Sequence, residues 1–279
     1  MCIRDSHDLL ADLRRAPGAT PPRRILAAGM ISSAQGLCEV AHVPAPAGLA
    51  ELAAASREQV VAQVSDLPFL FVPGVRTHSR PGAEGIAGQD VMRGEETLCL
   101  GLASLGLLAP GAALLCLGSH WKLVRLDRDG RVLFSITSIA GELLSAVRAQ
   151  TILASALPDG WLEQADASQV RGGLREARRS GLARALFCVR LLEQARETSP
   201  AERLSFALGA LIGSDFGHLS AALDAGTAVT ISGGEKTGGA WALALEDAGH
   251  PVRSLTAGQA EAGLLAGLRA IHAARVPTA

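Results

Sequence analysis

Three short stretches gather residue types that do chemistry. Arg93-Gly94-Glu95-Glu96-Thr97 puts a guanidinium, two carboxylates and a hydroxyl where a loop enters an apolar helix. A guanidinium so placed can grip a carboxylate through two parallel hydrogen bonds, and Glu95 or Glu96 can take the proton of an attacking hydroxyl. The same residues also suit an ordinary helix start, since acidic side chains favour the positive end of the helix dipole. Gly118-Ser119-His120-Trp121-Lys122 separates two apolar strands. Its turn N–H groups, a hydroxyl and a lysine can cradle an anion, or can simply reverse the chain. The third stretch, Ser232 to Gly239, joins a strand to a helix and reads Ser-Gly-Gly-Glu-Lys-Thr-Gly-Gly. Glu235 stands directly before Lys236, so the glycine-lysine-threonine order of a Walker phosphate loop is absent. Gly233 and Gly234 then offer a glycine-lined approach for a nucleotide, or an ordinary flexible connection.

Other chemistries drop out. No G-x-G-x-x-G follows a strand and opens a helix, which argues against hydride transfer, and no G-x-S-x-G elbow is present for serine hydrolysis. His120 has no second His, Cys or carboxylate at ligand spacing, so the metal ligands remain unassigned. His42, His78, His218, His250 and His272 are scattered and receive no role. Gly209 and Gly213 permit close helix packing, and Asp215 beside them is either a polar helix end or a cleft residue.

Composition narrows the class further. The chain has 279 residues, 48% of them hydrophobic, which is enough for a sizeable core. Its net charge of −1 argues against a broad basic face for nucleic acid or an anionic membrane. Aromatic residues are 3% with no tyrosine, so stacking platforms for single strands are scarce. Five cysteines, an odd number with no C-x-x-C pair, read as reduced thiols in a cytoplasmic protein. The apolar run from Leu98 to Leu117 is interrupted by Gly and Pro, and no basic region precedes an apolar one at the start. Neither membrane spanning nor export is expected.

The elements that must hold these stretches follow from periodicity. A short helix is expected over Asp8 to Ala16, a strand over Arg24 to Ile31, and another over Phe69 to Pro73. Leu49 to Val64 is mixed in pattern. An apolar helix follows Thr97 to about Leu108, and Pro110-Gly111 breaks the chain. Beyond it come strands at Ala112 to Leu117, Trp121 to Leu126 and Val132 to Ile139, with Asp129-Gly130 as a hairpin signal, then a helix opened by Gly141-Glu142. Two long helices are expected over Val170 to Arg196, interrupted near Ser180-Gly181, and Ala201 to Leu223. A strand at Ala228 to Ser232, a helix at Trp241 to Ala248, a strand at Val252 to Leu255 and a closing helix complete an α/β pattern with a mainly parallel sheet. Residues 1–110 read as a first domain and 111–279 as a second with a helical side layer.

The succession of strand, hairpin, strand and helix after Gly111 resembles the start of a ribonuclease-H-like domain, the unit duplicated in actin-like ATPases and sugar kinases. Six segments in order are similar to the 2-dehydro-3-deoxygalactonokinase family. They are Ala28 to Ser33, Val72-Pro73-Gly74, Gln89 to Thr97, Leu117 to Lys122, Ala140 to Leu143 and Leu211 to Gly213, and Val91 to Thr97 is the most specific. The resemblance implies a two-domain, actin-like kinase. Such an enzyme moves the γ-phosphoryl of ATP, with Mg²⁺, to the 6-hydroxyl of 2-dehydro-3-deoxy-D-galactonate in cytoplasmic galactonate breakdown. It implies a sugar-acid site at Gly29, Met30, Ser32, Ser33 and Arg93, with Glu95 or Glu96 as the base. It implies phosphate and nucleotide contacts at Gly118, Ser119, His120, Lys122, Gly233 and Gly234, the two groups of residues meeting over one crevice. The oligomeric state and the choice between epimeric sugar acids stay open.

Two departures from the family pattern bear on that expectation. Nothing before Asp8 matches the Asp-x-Gly-Ser/Thr turn with which the family opens, so an N-terminally truncated first domain with little turnover is expected. The turn at Leu117 to Lys122 reads Leu-Gly-Ser-His-Trp-Lys where the family commonly has Pro-Gly-Thr-His-Cys-Lys. The alternatives are a non-catalytic relative that binds a sugar acid, and an acid/base hydrolase using Glu95 and Glu96.

Overall fold

A computed structural model describes Asp12 and residues 22–275. Apart from Asp12, the helix expected over Asp8 to Ala16 lies outside the described residues. The chain is α/β, as its pattern implies, with three sheets of mixed direction. By its contacts it divides into two compact units.

The first unit comprises Met1–Gly111, Leu126–Ser135 and Gly258–Ala279. One sheet has the order β1-β4-β3, where β1 is Ile25–Ala27, β3 is Arg57–Val60 and β4 is Pro68–Phe71. β1 runs parallel to β4, and β3 antiparallel to it. Phe69, Phe71, Ala27 and Val64 form the core beside it. A second sheet joins β2 (Val43–Pro44), β5 (Val75–Thr77) and β6 (Asp90–Met92), with β5 in the middle. The strand expected over Arg24 to Ile31 stops at Ala27, because Gly29 at φ 85° turns the chain into a single 3-10 turn at Met30–Ser32. The mixed segment Leu49 to Val64 resolves into helix α1 (Leu49–Ala55) and β3.

Helix α2 (Glu95–Ser104) follows β6, and the closing helix, labelled α8 (Ala257–Arg275), packs on it. A Cβ on Gly101 would stand 1.7 Å from the Gly263 carbonyl oxygen, and one on Gly267 would stand 2.0 Å from that of Thr97. The two backbones therefore touch, which only glycine allows. Sequence order put α8 in the second domain, but these contacts bring it back to the first unit.

The second unit comprises Ala112–Arg125 and Ile136–Ala257. The five-stranded sheet has the order β11-β10-β7-β8-β9, made of β7 (Ala113–Leu117), β8 (Trp121–Leu126), β9 (Val132–Ser138), β10 (Val229–Gly233) and β11 (Val252–Ser254), with Leu126 and the β9 residues up to Ser135 counted in the first unit. β10 is parallel to both neighbours and β7 antiparallel to β8. The helices are α3 (Ala140–Gln150), α4 (Ala167–Ser180), α5 (Leu182–Ala195), α6 (Pro200–Ser220) and α7 (Gly238–Asp247). Gly181 at φ 83° separates α4 from α5 where the sequence signalled an interruption. α6 opens with a capping box, Ser199 Oγ accepting from the Glu202 N–H and the Glu202 carboxylate accepting from the Ser199 N–H. Trp121, Trp241, Leu204, Leu208 and Ile231 centre the core. No helix of the described residues is long and apolar enough to cross a membrane.

Candidate functional site

In the first unit, three loops converge on Arg93. The residue follows β6, whose Asp90 accepts a 2.5 Å bond from the Ser135 hydroxyl, and precedes Gly94, whose φ of 109° lets the loop enter α2. One Nη donates to Ser32 Oγ at 3.2 Å, and the other to the Val40 carbonyl at 2.7 Å. His42 Nδ1 lies 3.4 Å from that second nitrogen. Gly74 closes the other side, because a Cβ there would stand 2.6 Å from Arg93 Cγ and 2.8 Å from His42 Cδ2. Burial pulls the guanidinium below its usual range, and the charges of Glu96 and Glu39 oppose that. Half-buried and bonded to a hydroxyl, a carbonyl and an imidazole, Arg93 forms no carboxylate ion pair among the described residues.

The two glutamates separate clearly. Glu96 is fully buried, takes the Gly94 N–H at 2.8 and 2.9 Å, and accepts from the Thr97 hydroxyl at 3.0 Å. Burial pushes its carboxyl up to about 7 against the pull of those donors. Glu95 is half-exposed, and its Oε2 accepts from the Arg93 N–H at 3.2 Å. The structure thus makes Glu96 a brace for the loop, and Glu95 is the carboxylate left at the surface.

The 3-10 turn completes this corner. Ser32 is buried and donates to the Gly29 carbonyl while accepting from Arg93. Met30 is 60% exposed, and Ser33 donates to the Met30 carbonyl at 2.7 Å. A Cβ on Gly94 would stand 3.4 Å from Gly29 Cα. Gly29, Ser32, Arg93, Glu95 and Glu96 therefore meet, as their types suggested. Gly74 joins them from the Val72-Pro73-Gly74 segment, and Val40 and His42 join unannounced, since each acts through its position and neither carries a motif.

In the second unit, a cavity of about 490 Å³ is lined by Gly118 and Ser119 from the turn, by Gly233 at the end of β10, and by Gly234 and Lys236 from the loop after it. Ladder pairing explains the meeting, because Gly233 sits opposite Leu117 across parallel strands. Gly233 and Gly234 have φ of 74° and 69°, and a Cβ on either would stand within 2.7 Å of Leu117 atoms. A Cβ on Gly141 would stand 2.2 Å from the Gly118 carbonyl oxygen, so α3 abuts the turn. Trp161 also lines the cavity, with Arg148 4.1 Å and Lys236 5.1 Å from its ring centroid.

His120 and Lys122 do not line this cavity. His120 pairs with Glu142 at 3.1 Å. Lys122 is buried on β8, one position after Trp121, which lines the cavity. Successive strand residues face opposite sides, so Lys122 is directed to the other face. The Gly118 N–H donates back to the His120 carbonyl, which removes it from any anion nest. The lysine at the cavity is Lys236, from the glycine-rich loop that lacks the Walker order. Asp215 on α6 is half-buried, burial pushing its carboxyl up while the Ser138 hydroxyl draws it down.

The residues present suit a nucleotide: a glycine-lined rim, a hydroxyl, an ammonium group and a flat indole. Among the described residues no group of three or more His, Cys, Asp or Glu stands ready for a metal ion. A magnesium ion is commonly held by one or two carboxylates together with substrate phosphates and water.

Comparisons with known proteins agree with one another. A family model described as 2-keto-3-deoxy-galactonokinase matches residues 5–271. A Rhizobium meliloti protein named a probable 2-dehydro-3-deoxygalactonokinase is 32% identical over 269 residues, covering 95% of this chain and 84% of that one. A crystal structure from Sinorhizobium meliloti, also named for 2-dehydro-3-deoxygalactonokinase, superposes with a TM-score of 0.79 at 30% identity. It covers 97% of this chain and 86% of its own.

Proposed function

The chain belongs to the 2-dehydro-3-deoxygalactonokinase family of sugar kinases, and from that premise we propose that it transfers the γ-phosphoryl of ATP to the 6-hydroxyl of 2-dehydro-3-deoxy-D-galactonate in cytoplasmic galactonate breakdown. The fold in this reading is the two-domain actin-like arrangement, the first unit taking the sugar acid and the second the nucleotide. ATP supplies the phosphoryl group, and Mg²⁺ when bound would neutralise charge on its phosphates.

The observation that carries the reading is the Arg93 corner: a guanidinium oriented by Val40 and Ser32, without a carboxylate partner among the described residues, and half-buried. Arg93 receives the sugar-acid carboxylate in a two-bond fork, and Gly29, Met30 and Ser33 border the rest of the molecule. Glu95 takes the proton of the attacking hydroxyl, and Glu96 holds the Gly94 turn that orients both neighbours. In the second unit Ser119, Gly233, Gly234 and Lys236 hold the phosphates, Gly118 shapes the turn beside them, and Trp161 offers its face to the base.

The test is ATP consumption on the galactonate- and gluconate-derived acids, with acid and nucleotide binding measured separately by calorimetry. Arg93→Ala is expected to weaken acid binding about 10- to 100-fold and leave nucleotide affinity within about twofold. Unchanged acid binding in Arg93→Ala overturns the site. A parent protein that binds neither acid overturns the function.

A further inference from the structure

Away from both sites, α4 carries Arg171, Arg175 and Arg178 at steps of four and three residues, which set them on one helix face. They border a cavity of about 300 Å³ in the second unit, over Leu174, Phe216 and Ala244. Arg171 is held by Asp247 of α7 through two bonds of 2.7 and 2.8 Å. The Arg178 guanidinium lies 5.0 Å from the centroid of the Phe216 ring. Glu176 pairs instead with Arg179 and the Ser180 hydroxyl, one helical step off this face. Among the described residues Arg175 and Arg178 make no carboxylate ion pair, so three guanidiniums here meet the single carboxylate of Asp247.

Like charges at these spacings repel along a helix, and an anion in the cavity relieves that. Close packing also fixes the face. A Cβ on Gly213 would stand 2.6 Å from the Leu174 carbonyl oxygen, and one on Gly173 would stand 2.0 Å from that of Phe206, so α4 lies directly on α6.

We propose that this cavity binds a small phosphomonoester dianion. Two guanidiniums with no carboxylate partner among the described residues present donors to its oxygens, and its two charges match the surplus of the cluster. The ring and aliphatic floor meet a short carbon skeleton, and the volume suits a small molecule. A nucleic acid would need a longer basic stripe than one helix face of a chain with net charge −1 supplies. The proposal does not depend on the sugar-kinase reading.

Calorimetry with inorganic phosphate and with glycerol 3-phosphate tests it. Both are expected to bind the parent, and binding should weaken about tenfold per arginine removed in Arg175→Gln and Arg175→Gln/Arg178→Gln. Lys236→Ala, at the other cavity, is expected to leave this binding class in place. Tighter binding of glycerol 3-phosphate supports the phosphomonoester, and equal binding of the two overturns it in favour of free phosphate. The proposal is overturned if the arginine variants bind as the parent does, if the loss follows Lys236→Ala alone, or if only a polyglutamate peptide binds. Should the double variant unfold, Arg175→Gln alone decides, since that exposed side chain has no described partner.

Discussion

Glu96 gives the chain a pH dependence opposite in sign to that of most carboxylates, and Glu96→Gln isolates it. The group ionises near 4.5 in an unfolded chain and at about 7 when buried here. Between those values the folded state keeps a proton that the unfolded state has released, so stability falls as pH rises through the window. The contribution is intact below about 4.5 and lost above about 7. At about 1.4 kcal/mol per pH unit, ionised Glu96 costs about 3 kcal/mol by pH 8. A glutamine keeps one acceptor for the Gly94 N–H and cannot ionise, so its own cost of about 1 kcal/mol does not vary with pH. Urea unfolding of parent and variant at pH 5 and pH 8 reads the difference directly, other titrating groups cancelling in the comparison. The variant is expected to gain about 2 to 3 kcal/mol on the parent between the two pH values. A parent-minus-variant difference that stays constant with pH refutes the burial argument.

Other perturbations have equally definite outcomes. Gly101→Ala drives a methyl group against the Gly263 carbonyl and should cost about 1 to 3 kcal/mol in denaturant unfolding; an unchanged midpoint would mean that α2 and α8 do not touch. Lys236→Ala should weaken nucleotide binding about tenfold while leaving sugar-acid binding alone, as read by calorimetry. Lys122→Ala, at a buried strand position, should lower stability by about 1 to 2 kcal/mol in urea unfolding, and a selective loss of nucleotide affinity without it would restore the sequence-based assignment.

Much of the architecture is legible along the chain because periodicity and breakers act locally. Ala113–Leu117, Trp121–Leu126 and Val132–Ser138 fall where alternating or apolar runs end in glycine, aspartate or serine. The short strands β2, β5 and β6 escape such reading, since two or three residues carry no period and exist only through their partners. α8 is recognisable as a helix but not as a partner of α2, because the glycine contacts that unite them join residues about 160 positions apart.

The functional residues divide in the same way. Side-chain type and spacing alone single out Arg93, its two glutamates, the Gly118-Ser119 turn and the Gly233-Gly234 pair, and the order of these segments carries the family resemblance. What each does depends on surroundings no local pattern encodes. Glu96 is a buried brace and Glu95 a surface carboxylate, although they are neighbours of identical chemistry, because consecutive helical positions point about 100° apart, one inward and one toward water. Lys122 turns away from the cavity beside the Gly118-Ser119 turn because strand neighbours alternate, and Lys236 reaches it because β10 pairs with β7. Residue types are written in the order of the chain, but burial, partners and direction are set by contacts between segments far apart in that order.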